Sequence, residues 1–438
     1  MRSVAVMGMA QSGVAVAEFL ARRGDHVRAI DSKPIEELQG VGERLAAIGA
    51  TFCQQSPEAL DGVDLVVISP GVPADIPELA AARRRGIPVI GEVELAAEHL
   101  KGPSIGITGS NGKTTTTALT GHILRESGVP VQVGGNIGKA VTAMIASSLP
   151  DQWNVLELSS FQLETIDKFR VRVGVCVNVT PDHLDRHHTF EGYAGAKGRL
   201  FETQQPSDFA VLNADDETCN EYASRTHARV VWFSTKKPAD MWADARRVYS
   251  GSEPFLEIRD IPLRGRHNVE NVCAAAAAAR LAGVPLEKIA AAVRSFPGVE
   301  HRIEFVRTVR GVAWYNDSKA TNVDAALKAV EAFDGPLWII LGGKDKGAPY
   351  APLAPLLQAK GKAALLIGAA AEKIERELAG AVPLERCGTI EAAVRKAAEG
   401  AAAGDTVLLA PACASFDQFQ SYEHRGRVFK ELVRAIQE

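Results

Sequence analysis

The sequence predicts an α/β protein whose domains are each built on a mainly parallel sheet. Short apolar strands alternate with helical segments along the chain of 438 residues, and this alternation is typical of parallel sheets covered by helices. Most strands end in glycine-rich or polar loops, where such sheets bind ligands. One loop in the middle of the chain has the composition of a phosphate-binding loop. We therefore predict three domains: a Rossmann-like N-terminal domain, a central P-loop ATPase-type domain and a C-terminal Rossmann-like domain.

Composition narrows the classes of function. The net charge is −4, so electrostatics give no case for nucleic acid as the main partner. No apolar run approaches the ~20 residues that cross a bilayer, and the N-terminus enters a strand without the cleavage site of a signal peptide. Six scattered cysteines without a Cys-x-x-Cys pair indicate free thiols in a reducing compartment. We expect a cytoplasmic monomer that binds neither nucleic acid nor a membrane.

Residues 1–93 form the predicted N-terminal domain. Its strands are predicted at Val4–Met7, His26–Ile30, Leu65–Ile68 and Ile87–Ile90. The turn at 8–13, which precedes a helix predicted from Val14, is a dinucleotide-type fingerprint with Ala10 in place of the middle glycine, and Asp31 follows the second strand. This pattern leaves NAD open as a ligand and tight packing of the turn as a purely structural alternative. Because loops 8–13, 31–33 and 69–71 all follow strands, we expect a ligand with a diphosphate here.

The phosphate-binding loop lies in the central domain, residues 94–297. Gly106–Thr115 is Gly-Ile-Thr-Gly-Ser-Asn-Gly-Lys-Thr-Thr, after a strand predicted to end at Ile105 and before a helix predicted from Thr116. Backbone N–H groups of such a turn face an anion, and the helix N-terminus adds partial positive charge. Lys113 is placed to reach the β- and γ-phosphates of ATP, and the Thr114 hydroxyl to hold Mg²⁺. The strict pattern has glycine where this chain has Ile107.

Further polar residues follow other strands of this domain. Glu157 interrupts the apolar strand predicted at 153–158, and a buried carboxylate is costly unless it is paired or binds a cation. A strand predicted at 173–179 leads into a polar loop in which His183 and His187 have a spacing that leaves zinc as an alternative. Lys197 lies on a predicted helix and on composition alone would be solvated. Near the start of a later helix, N-capping explains one of two asparagines at 268 and 271.

Residues 298–438 form the predicted C-terminal domain, after a hinge-like turn at 296–302. Strands are predicted to end near Asp317, at Leu341 and at Ala410, each before a polar loop. The loops supply small hydroxyls and the lysines Lys319, Lys344 and Lys346. Cations and hydroxyls at successive strand ends suit a small anionic substrate.

Taken together, the motifs resemble the Mur ligase family over essentially the whole chain. Five motifs have the family's order and spacing: Thr-Gly-x-Asn-Gly-Lys-Thr at 108–114, Glu157-Leu158-Ser159-Ser160, Asp182-His183-Leu184-Asp185, His267-Asn268 with Asn271, and His301-Arg302. The segments 317–322 and 410–417 resemble the branch that adds D-glutamate to UDP-N-acetylmuramoyl-L-alanine. The resemblance implies three α/β domains and ATP-dependent amide bond formation in cytoplasmic peptidoglycan precursor synthesis.

The resemblance also implies a role for each matching residue. It implies catalytic roles for Lys113, Glu157, His183 and Lys197. It implies ATP contacts from Gly109, Asn111, Gly112, Lys113, Thr114, Thr115, Asn271, Arg302 and Asp317. It implies two Mg²⁺ ions, with ligands from Thr114, Glu157, His183 and a carbamylated Lys197. It implies contacts to the UDP-substrate from Ser12, Asp31, Ser69, Gly71, Asn136 and Ser159, and to D-glutamate from Lys319, Thr321, Lys346, Ser415 and Tyr422.

The implied reaction converts a poor acyl donor into a good one. The γ-phosphoryl group of ATP passes to the alanyl carboxylate, and the amine of D-glutamate attacks the resulting acyl phosphate. The resemblance further implies that the C-terminal domain swings about 296–302. Three alternatives stay open: a ligase of this family with a different acceptor, an NAD-dependent dehydrogenase, and a regulator that binds ATP without turnover.

Overall fold

The computed structural model describes residues 2–437. It contains three sheets, and it confirms the predicted α/β class with parallel-rich sheets. The chain divides into two compact units: one runs to Ile261 and includes His267–Phe296, and the other joins Pro262–Arg266 to Pro297 and all that follows. The first unit contains the N-terminal and central sheets. Within the described residues, no helix is long and apolar enough to cross a membrane.

The N-terminal sheet has five parallel strands in the order β3-β2-β1-β4-β5. The strands are β1 Ser3–Met7, β2 His26–Asp31, β3 Thr51–Gln54, β4 Leu65–Ile68 and β5 Val89–Gly91, and the helices are α1 Gln11–Arg22, α2 Val41–Ala47, α3 Pro77–Arg84 and α4 Glu92–Ala97. Helix α1 begins three residues before the predicted Val14. The reason is that the first turn of the helix packs closely on the preceding turn of the chain. A Cβ on residue 13 would collide with the Gly8 carbonyl oxygen, so only glycine fits at this position.

The central sheet has nine strands in the order β14-β13-β12-β11-β10-β9-β6-β8-β7, parallel except for the last two pairings at the β14 end. The strands are β6 Ser104–Thr108, β7 Val131–Gly135, β8 Trp153–Glu157, β9 Val173–Cys176, β10 Phe209–Asn213, β11 Arg229–Ser234, β12 Met241–Ala243, β13 Arg247–Ser250 and β14 Glu253–Glu257. The helices are α5 Lys113–Glu126, α6 Val141–Met144, α7 Ser160–Leu163, α8 Leu184–His187, α9 Phe190–Glu202, α10 Glu217–Tyr222, α11 Arg266–Leu281 and α12 Leu286–Arg294.

Three central strands bring the predicted site residues to one edge. Strand β6 is buried along its whole length between β8 and β9, which are parallel to it. Parallel strands covered on both faces by helices form such continuous apolar runs. The carboxyl ends of the three strands carry the phosphate-binding loop, Glu157 and the loop after Cys176. Strand β9 is shorter than the predicted 173–179, because from Val177 onward the chain turns to bond the end of β6 and the glycine-rich loop: Val177 donates to Thr108, and the Asn178 carbonyl accepts from Ser110.

The C-terminal sheet has six strands in the order β15-β16-β20-β17-β18-β19, with only the β15–β16 pair antiparallel. The strands are β15 Glu304–Val309, β16 Val312–Asn316, β17 Leu337–Gly342, β18 Gly361–Ile367, β19 Leu384–Gly388 and β20 Thr406–Leu409, and the helices are α13 Val323–Glu331, α14 Ala354–Lys360, α15 Ala371–Glu377, α16 Ile390–Gly400 and α17 Tyr422–Ala435. Because β16, β20 and β17 are neighbours, the loops at 317–322, 343–346 and 410–417 share one edge, and a bridge joins Lys344 to Ala414.

Short 3-10 helices complete the chain. They lie at Ile35–Glu37, Pro57–Leu60, Ile145–Ser147, Ile258–Asp260 and Ala351–Leu353.

Candidate active site

The glycine-rich loop is a rigid cradle between β6 and α5. Gly109 and Gly112 have φ of 145° and 82°, a region that favours glycine. The Asn178 side chain holds the loop from the segment that follows β9: its Oδ1 accepts from the Asn111 N–H at 2.9 Å, and its Nδ2 donates to the Asn111 carbonyl at 3.2 Å. The Lys113 Nζ donates to the carbonyls of Gly109 and Ser110, both at 2.7 Å. The ammonium is therefore held over the loop, where the phosphates of a nucleotide would bind.

Helix α5 begins earlier than the sequence predicts. It starts at Lys113 rather than Thr116, and β6 continues to Thr108 rather than ending at Ile105. Thr114 and Thr115 consequently lie in the first helical turn, and both are buried. The first turn has no acidic residue to neutralise the positive end of the helix. This geometry suits an anion at the N-terminus of α5.

Glu157 is the carboxylate at the end of β8, and only 1% of it is exposed. Its Oε1 accepts from the Asn136 Nδ2 at 2.8 Å, whereas its Oε2 is buried and has no hydrogen-bond partner among the residues that the structure describes. A buried carboxylate oxygen without a partner carries a large desolvation cost. A bound cation would remove that cost, so this oxygen and the Thr114 hydroxyl form a donor set of the hard-oxygen kind that Mg²⁺ prefers.

Lys197 is buried on α9, contrary to what composition suggests. Its exposed fraction is 1%, its Nζ donates to the Gly109 carbonyl at 2.8 Å, and the same atom lies 4.5 Å from the centre of the Tyr193 ring. Burial, reinforced by the neighbouring Lys113 cation, holds the pKa of the Lys197 ammonium well below its ordinary value. The Tyr193 hydroxyl lies 3.0 Å from the Ser110 Oγ, which ties α9 to the loop. Lys197 is thus a neutral amine candidate at the loop.

His183 stands on the turn after β9, in a left-handed backbone conformation with φ of 51°. About half of its side chain is exposed, and its ring packs against Phe161 at 4.8 Å between centroids. Among the side chains that the structure describes, no group of three or more histidine, cysteine, aspartate or glutamate residues could by itself hold a metal ion. The zinc alternative therefore finds no support among these residues.

Asn271 lies beneath the loop on α11. Helix α11 begins at Arg266, so both asparagines are inside it and the predicted N-capping role is wrong. The Asn271 Nδ2 donates to the Asn268 Oδ1 at 3.0 Å, and its Oδ1 accepts from the Thr116 hydroxyl at 3.3 Å. A Cβ on Gly112 would collide with the Asn271 Oδ1. Asn271 therefore packs directly on the residue before Lys113.

A cavity of about 430 Å³ opens between the N-terminal and central sheets of the first unit. Five predicted substrate residues line it: Ser12, Asp31, Ser69, Gly71 and Asn136. The sixth, Ser159, instead caps α7, where its Oγ donates to the Gln162 side chain at 3.1 Å. Gln162 itself lines the cavity, as do Gln11 and Gln55, which the sequence prediction missed. A glutamine on a helix or loop carries no pattern that could have identified it.

Asp31 has a structural task in this cavity. Its two carboxylate oxygens accept from the N–H groups of Met9 at 2.7 Å and Lys33 at 3.0 Å, and the Ser69 hydroxyl donates to the Gly8 carbonyl at 2.6 Å. Asp31 and Ser69 thereby fix the turn in which Ala10 replaces glycine. Any ribose hydroxyl would have to share Asp31 with these backbone donors.

The second unit contains its own set of predicted residues. Asp317 is 1% exposed, and burial raises the pKa of its carboxyl to about 6 although the nearby Arg302 cation opposes the shift. The Lys319 Nζ lies 5.8 Å from the centre of the Tyr422 ring. Ser415 is buried, Thr321 is half-buried and Lys346 is exposed. The loops at 317–322, 343–346 and 411–417 and the start of α17 thus supply cations, hydroxyls and an aromatic ring at one sheet edge.

Arg425 holds those two loops together, and sequence analysis missed it. The side chain is fully buried, and it donates to the Ser318 hydroxyl at 2.9 Å, to the Ser318 carbonyl at 2.9 Å and to the carbonyls of Cys413 and Ala414 at 3.2–3.3 Å. Burial lowers the pKa of its guanidinium to about 10. An arginine in a helix near the chain end resembles any surface charge, so the sequence carried no signal for it.

Comparison with known proteins covers the chain from end to end. Three family models match in succession: "Mur ligase MurD-like, N-terminal domain" at residues 2–91, "Mur ligase middle domain" at 107–279 and "Mur ligase, glutamate ligase domain" at 301–413. A UDP-N-acetylmuramoylalanine–D-glutamate ligase of Solibacter usitatus is 63% identical, over 99% of this chain and 97% of the relative. A ligase of the same name from Acidobacterium capsulatum is 51% identical, over 99% of this chain and 96% of the relative.

Solved structures share the fold at much lower identity. The MurF ligase of Thermotoga maritima, solved in complex with ADP, gives a TM-score of 0.63 at 16% identity, covering 94% of this chain and 96% of that one. The UDP-N-acetylmuramate–alanine ligase of the same organism gives 0.61 at 19% identity, covering 99% and 100%. These similarities concern the fold alone.

Proposed function

This chain belongs to the Mur ligase family, and we propose that it joins D-glutamate to UDP-N-acetylmuramoyl-L-alanine at the expense of ATP. The observation that carries the specific activity is similarity along the full length: relatives named for this reaction match 99–100% of this chain, which includes the second unit as well as the ATP domain. The product is an intermediate of peptidoglycan synthesis, and we place the reaction in the cytoplasm. We propose domain boundaries after residues 93 and 297, and a monomer.

The loop residues fit ATP and Mg²⁺. Gly109, Asn111 and Gly112 offer the cradle, while Lys113, Thr114 and Thr115 begin the helix behind it. Mg²⁺, when bound, offsets the negative charge that accumulates between phosphate and carboxylate. The unpaired Glu157 oxygen supports its role as a ligand, together with the Thr114 hydroxyl and, for a second ion, His183. Asn271, Arg302 and Asp317 would position the rest of the nucleotide.

Lys197 would serve this site as a carbamate. A neutral amine reacts with CO₂ to form an N–C bond and releases one proton, so an uncharged side chain becomes an anion. The depressed pKa of the buried Lys197 supplies the neutral amine, and its position beside Gly109 would direct the carbamate toward the loop. A second anionic ligand near Glu157 would support two Mg²⁺ ions.

The chain's residues then act in sequence. The UDP portion would bind in the cavity of about 430 Å³, which is lined by Ser12, Asp31, Ser69, Gly71 and Asn136. Ser159 would act on the substrate through Gln162, to which it is hydrogen-bonded. The alanyl carboxylate would be directed toward Lys113. In phosphoryl transfer, an oxygen of that carboxylate forms a bond to the γ-phosphorus. The bond from the γ-phosphorus to the oxygen that bridges it to the β-phosphorus breaks, so that ADP leaves and an acyl phosphate remains. The Lys113 ammonium would offset the developing charge.

The second unit would supply the nucleophile. Lys319, Thr321, Lys346, Ser415 and Tyr422 would hold D-glutamate so that its neutral amine attacks the acyl phosphate and phosphate leaves. The buried Arg425 keeps both acceptor loops in register through four oxygen acceptors. The acceptor would thus be selected by loops on the edge of the C-terminal sheet.

The test is ADP release coupled to NADH oxidation, with ATP, Mg²⁺ and UDP-N-acetylmuramoyl-L-alanine present. D-glutamate, L-glutamate, L-lysine and no acceptor are compared. Release that depends on D-glutamate supports the proposed function. Turnover with another acceptor would keep the ATP chemistry and overturn the acceptor assignment, and ATP binding without turnover would favour a regulator.

A further inference from the structure

The short helix α8, which follows His183, depends on side chains outside itself for its position. It has only four residues, Leu184–His187, and left-handed residues flank it: His183 with φ of 51° and His188 with φ of 64°. A single helical turn is marginal in water because it fixes several dihedral angles for few hydrogen bonds. The placement of His183 therefore depends on the contacts that α8 makes with its neighbours, in addition to the packing of the His183 ring on Phe161.

Arg186 makes the first of these contacts. Its guanidinium forms an ion pair with Glu164 and also donates to the Val72 carbonyl at 2.8 Å. It lies over the Phe161 ring, 5.0 Å from the ring centre, and its side chain is 13% exposed. A charged pair that is mostly desolvated and has two separate acceptors is geometrically demanding. Arg186 thus joins α8 both to the segment after α7 and to a loop of the N-terminal sheet.

His187 makes the second contact. Its side chain is 5% exposed, its Nε2 lies 2.9 Å from the Ser160 Oγ, and its ring stacks on Phe161 at 5.6 Å between centroids. Ser160 is the first residue of α7 and lies three residues after Glu157. His187 therefore fixes α8 to the element that continues from the carboxylate at the end of β8.

The third element is the loop that contains Val72. The Val72 N–H donates to the Ser69 carbonyl at 3.0 Å, which closes the turn 69–72. Residues of this turn, including Val72, line the cavity of about 430 Å³. A ligand that orders this turn also places the Val72 carbonyl, and with it the acceptor of Arg186.

We propose that Arg186, with Glu164 and His187, couples occupation of the substrate cavity to the placement of His183. This inference rests on the proposed function, which puts the UDP-substrate in the cavity and His183 at Mg²⁺. Arg186 is a positioning residue: it acts through α8. Coupling between two sites is reciprocal and commonly amounts to ~5–150-fold in affinity. UDP-substrate should therefore order residues 183–188 before any nucleotide binds.

The experiment is hydrogen–deuterium exchange of the full chain with and without UDP-N-acetylmuramoyl-L-alanine, in the absence of ATP and Mg²⁺. The reporters are the amides of Arg186, His187 and His188, whose hydrogen bonds within the turn are 2.9–3.1 Å long. In the wild-type protein the substrate should slow their exchange by roughly fivefold or more. In Arg186→Lys, which keeps the charge but loses the planar fork, the substrate should change their exchange less than twofold.

A second measurement separates positioning from folding. In Arg186→Lys the apparent affinity for Mg²⁺ with a non-hydrolysable ATP analogue should no longer rise with UDP-substrate, while the unfolding temperature stays near that of the wild type. His187→Gln should show the same loss in weaker form. Arg85→Lys is the matched control, because Arg85 forms an exposed ion pair with Asp61 on the surface.

The outcomes are distinguishable. Wild-type exchange that does not respond to substrate, or an Arg186→Lys protein that keeps the full response, would overturn the coupling. So would a loss of response that tracks a lower unfolding temperature. If Arg186→Lys does not fold, the wild-type response and His187→Gln decide. Absence of D-glutamate-dependent turnover in the wild type would instead refute the proposed function, whatever the exchange shows.

Discussion

At the scale of single residues, Lys197 is buried beside a second cation, Lys113, and its charged form is disfavoured there. If a carbamate at Lys197 is a metal ligand, Lys197→Ala should reduce turnover by a factor of about 100 or more, on the order of 3 kcal/mol. Added formate or acetate should restore part of the activity, because a small carboxylate can occupy the space of the missing carbamate. The measurement is D-glutamate-dependent ADP release against acid concentration.

Lys328→Ala serves as the control for this prediction. Lys328 is a helix lysine in an exposed i,i+4 pair with Asp324, so its removal should leave turnover unchanged. Inactivity of Lys197→Ala that no short acid relieves would argue against the carbamate.

The buried carboxyl of Asp317 makes the free energy of unfolding depend on pH. Burial raises its pKa from 3.8 to about 6, so between these values the folded protein keeps a proton that the unfolded chain has lost. Stability therefore falls as pH rises from about 4 to about 6 and stays lower above, by at most ~3 kcal/mol in all. Asp317→Asn does not ionise, so above pH 6 it should unfold several degrees higher than wild type, yet bind ATP more weakly. Thermal unfolding at about pH 4.5, near the lower end of this interval, and at about pH 7.5, above it, measures the difference.

The control for Asp317 is Asp324→Asn, an exposed aspartate in the same segment. Its unfolding temperature relative to wild type should not change with pH. A difference between Asp317→Asn and wild type that is equal at the two pH values would contradict the buried-ionisation account.

Which residues the sequence could identify depended on where their partners lie. The phosphate-loop residues form one contiguous motif, so Lys113 and Thr114 were predictable from local chemistry. Lys197 can be identified only through its contact with Gly109, which lies 88 positions away in the sequence. Arg425 can be identified only through its hydrogen bonds to Ser318, which lies 107 positions away. Such contacts exist only after folding, and only the family resemblance drew attention to Lys197. Asn178 and Gln162 had neither a motif nor a resemblance to mark them.

At the scale of elements, the limits of buried strands away from the phosphate-binding loop were more predictable than the starts of helices. Apolar runs marked Leu65–Ile68 correctly, because a buried parallel strand has no polar positions to blur its limits. Helices α1 and α5 each begin three residues earlier than predicted. The turns before them contain glycines with positive φ, Gly8 and Gly112, and such turns reverse the chain within few residues. Strand β3 was missed because its side chains are half-buried or exposed and include two polar residues.

Helix α4 provides an element-scale prediction. Its Glu94 is 4% exposed and accepts three backbone N–H bonds, from Asp167, Lys168 and Phe169, at 2.8–3.0 Å. Glu94→Ala would leave those donors without a partner and should destabilise the first unit by about 2–4 kcal/mol. Glu94→Gln, which offers one accepting oxygen, should have a free energy of unfolding between those of the wild type and Glu94→Ala. Urea unfolding followed by circular dichroism is the measurement.

Glu98 lies four residues further along the chain and is exposed, so Glu98→Ala is the matched control and should change the free energy of unfolding by less than ~0.5 kcal/mol. Equal effects of the two substitutions would show that the three N–H bonds do not stabilise the unit.

At the scale of the whole molecule, the two compact units divide the proposed work. Lys113 belongs to the first unit and Lys319 to the second. Lys113→Ala should abolish turnover but leave UDP-substrate binding unchanged by calorimetry, because the cavity of about 430 Å³ does not include Lys113. Lys319→Ala should raise the KM for D-glutamate by roughly 10–100-fold, the loss of one charge-assisted hydrogen bond, and leave the KM for ATP nearly unchanged. Equal effects on both KM values would make Lys319 structural.

The same pair of variants tests whether a single chain supplies both lysines of each active site, as the proposed monomer requires. If one chain supplies both units of each active site, a mixture of Lys113→Ala and Lys319→Ala proteins should release ADP at no more than the sum of their separate rates. If sites formed between the first unit of one chain and the second unit of another, mixing would restore a site with both lysines and raise the rate above that sum. The assay is run at low D-glutamate, where Lys319→Ala alone is slow, and a dilution series separates true complementation from weak association.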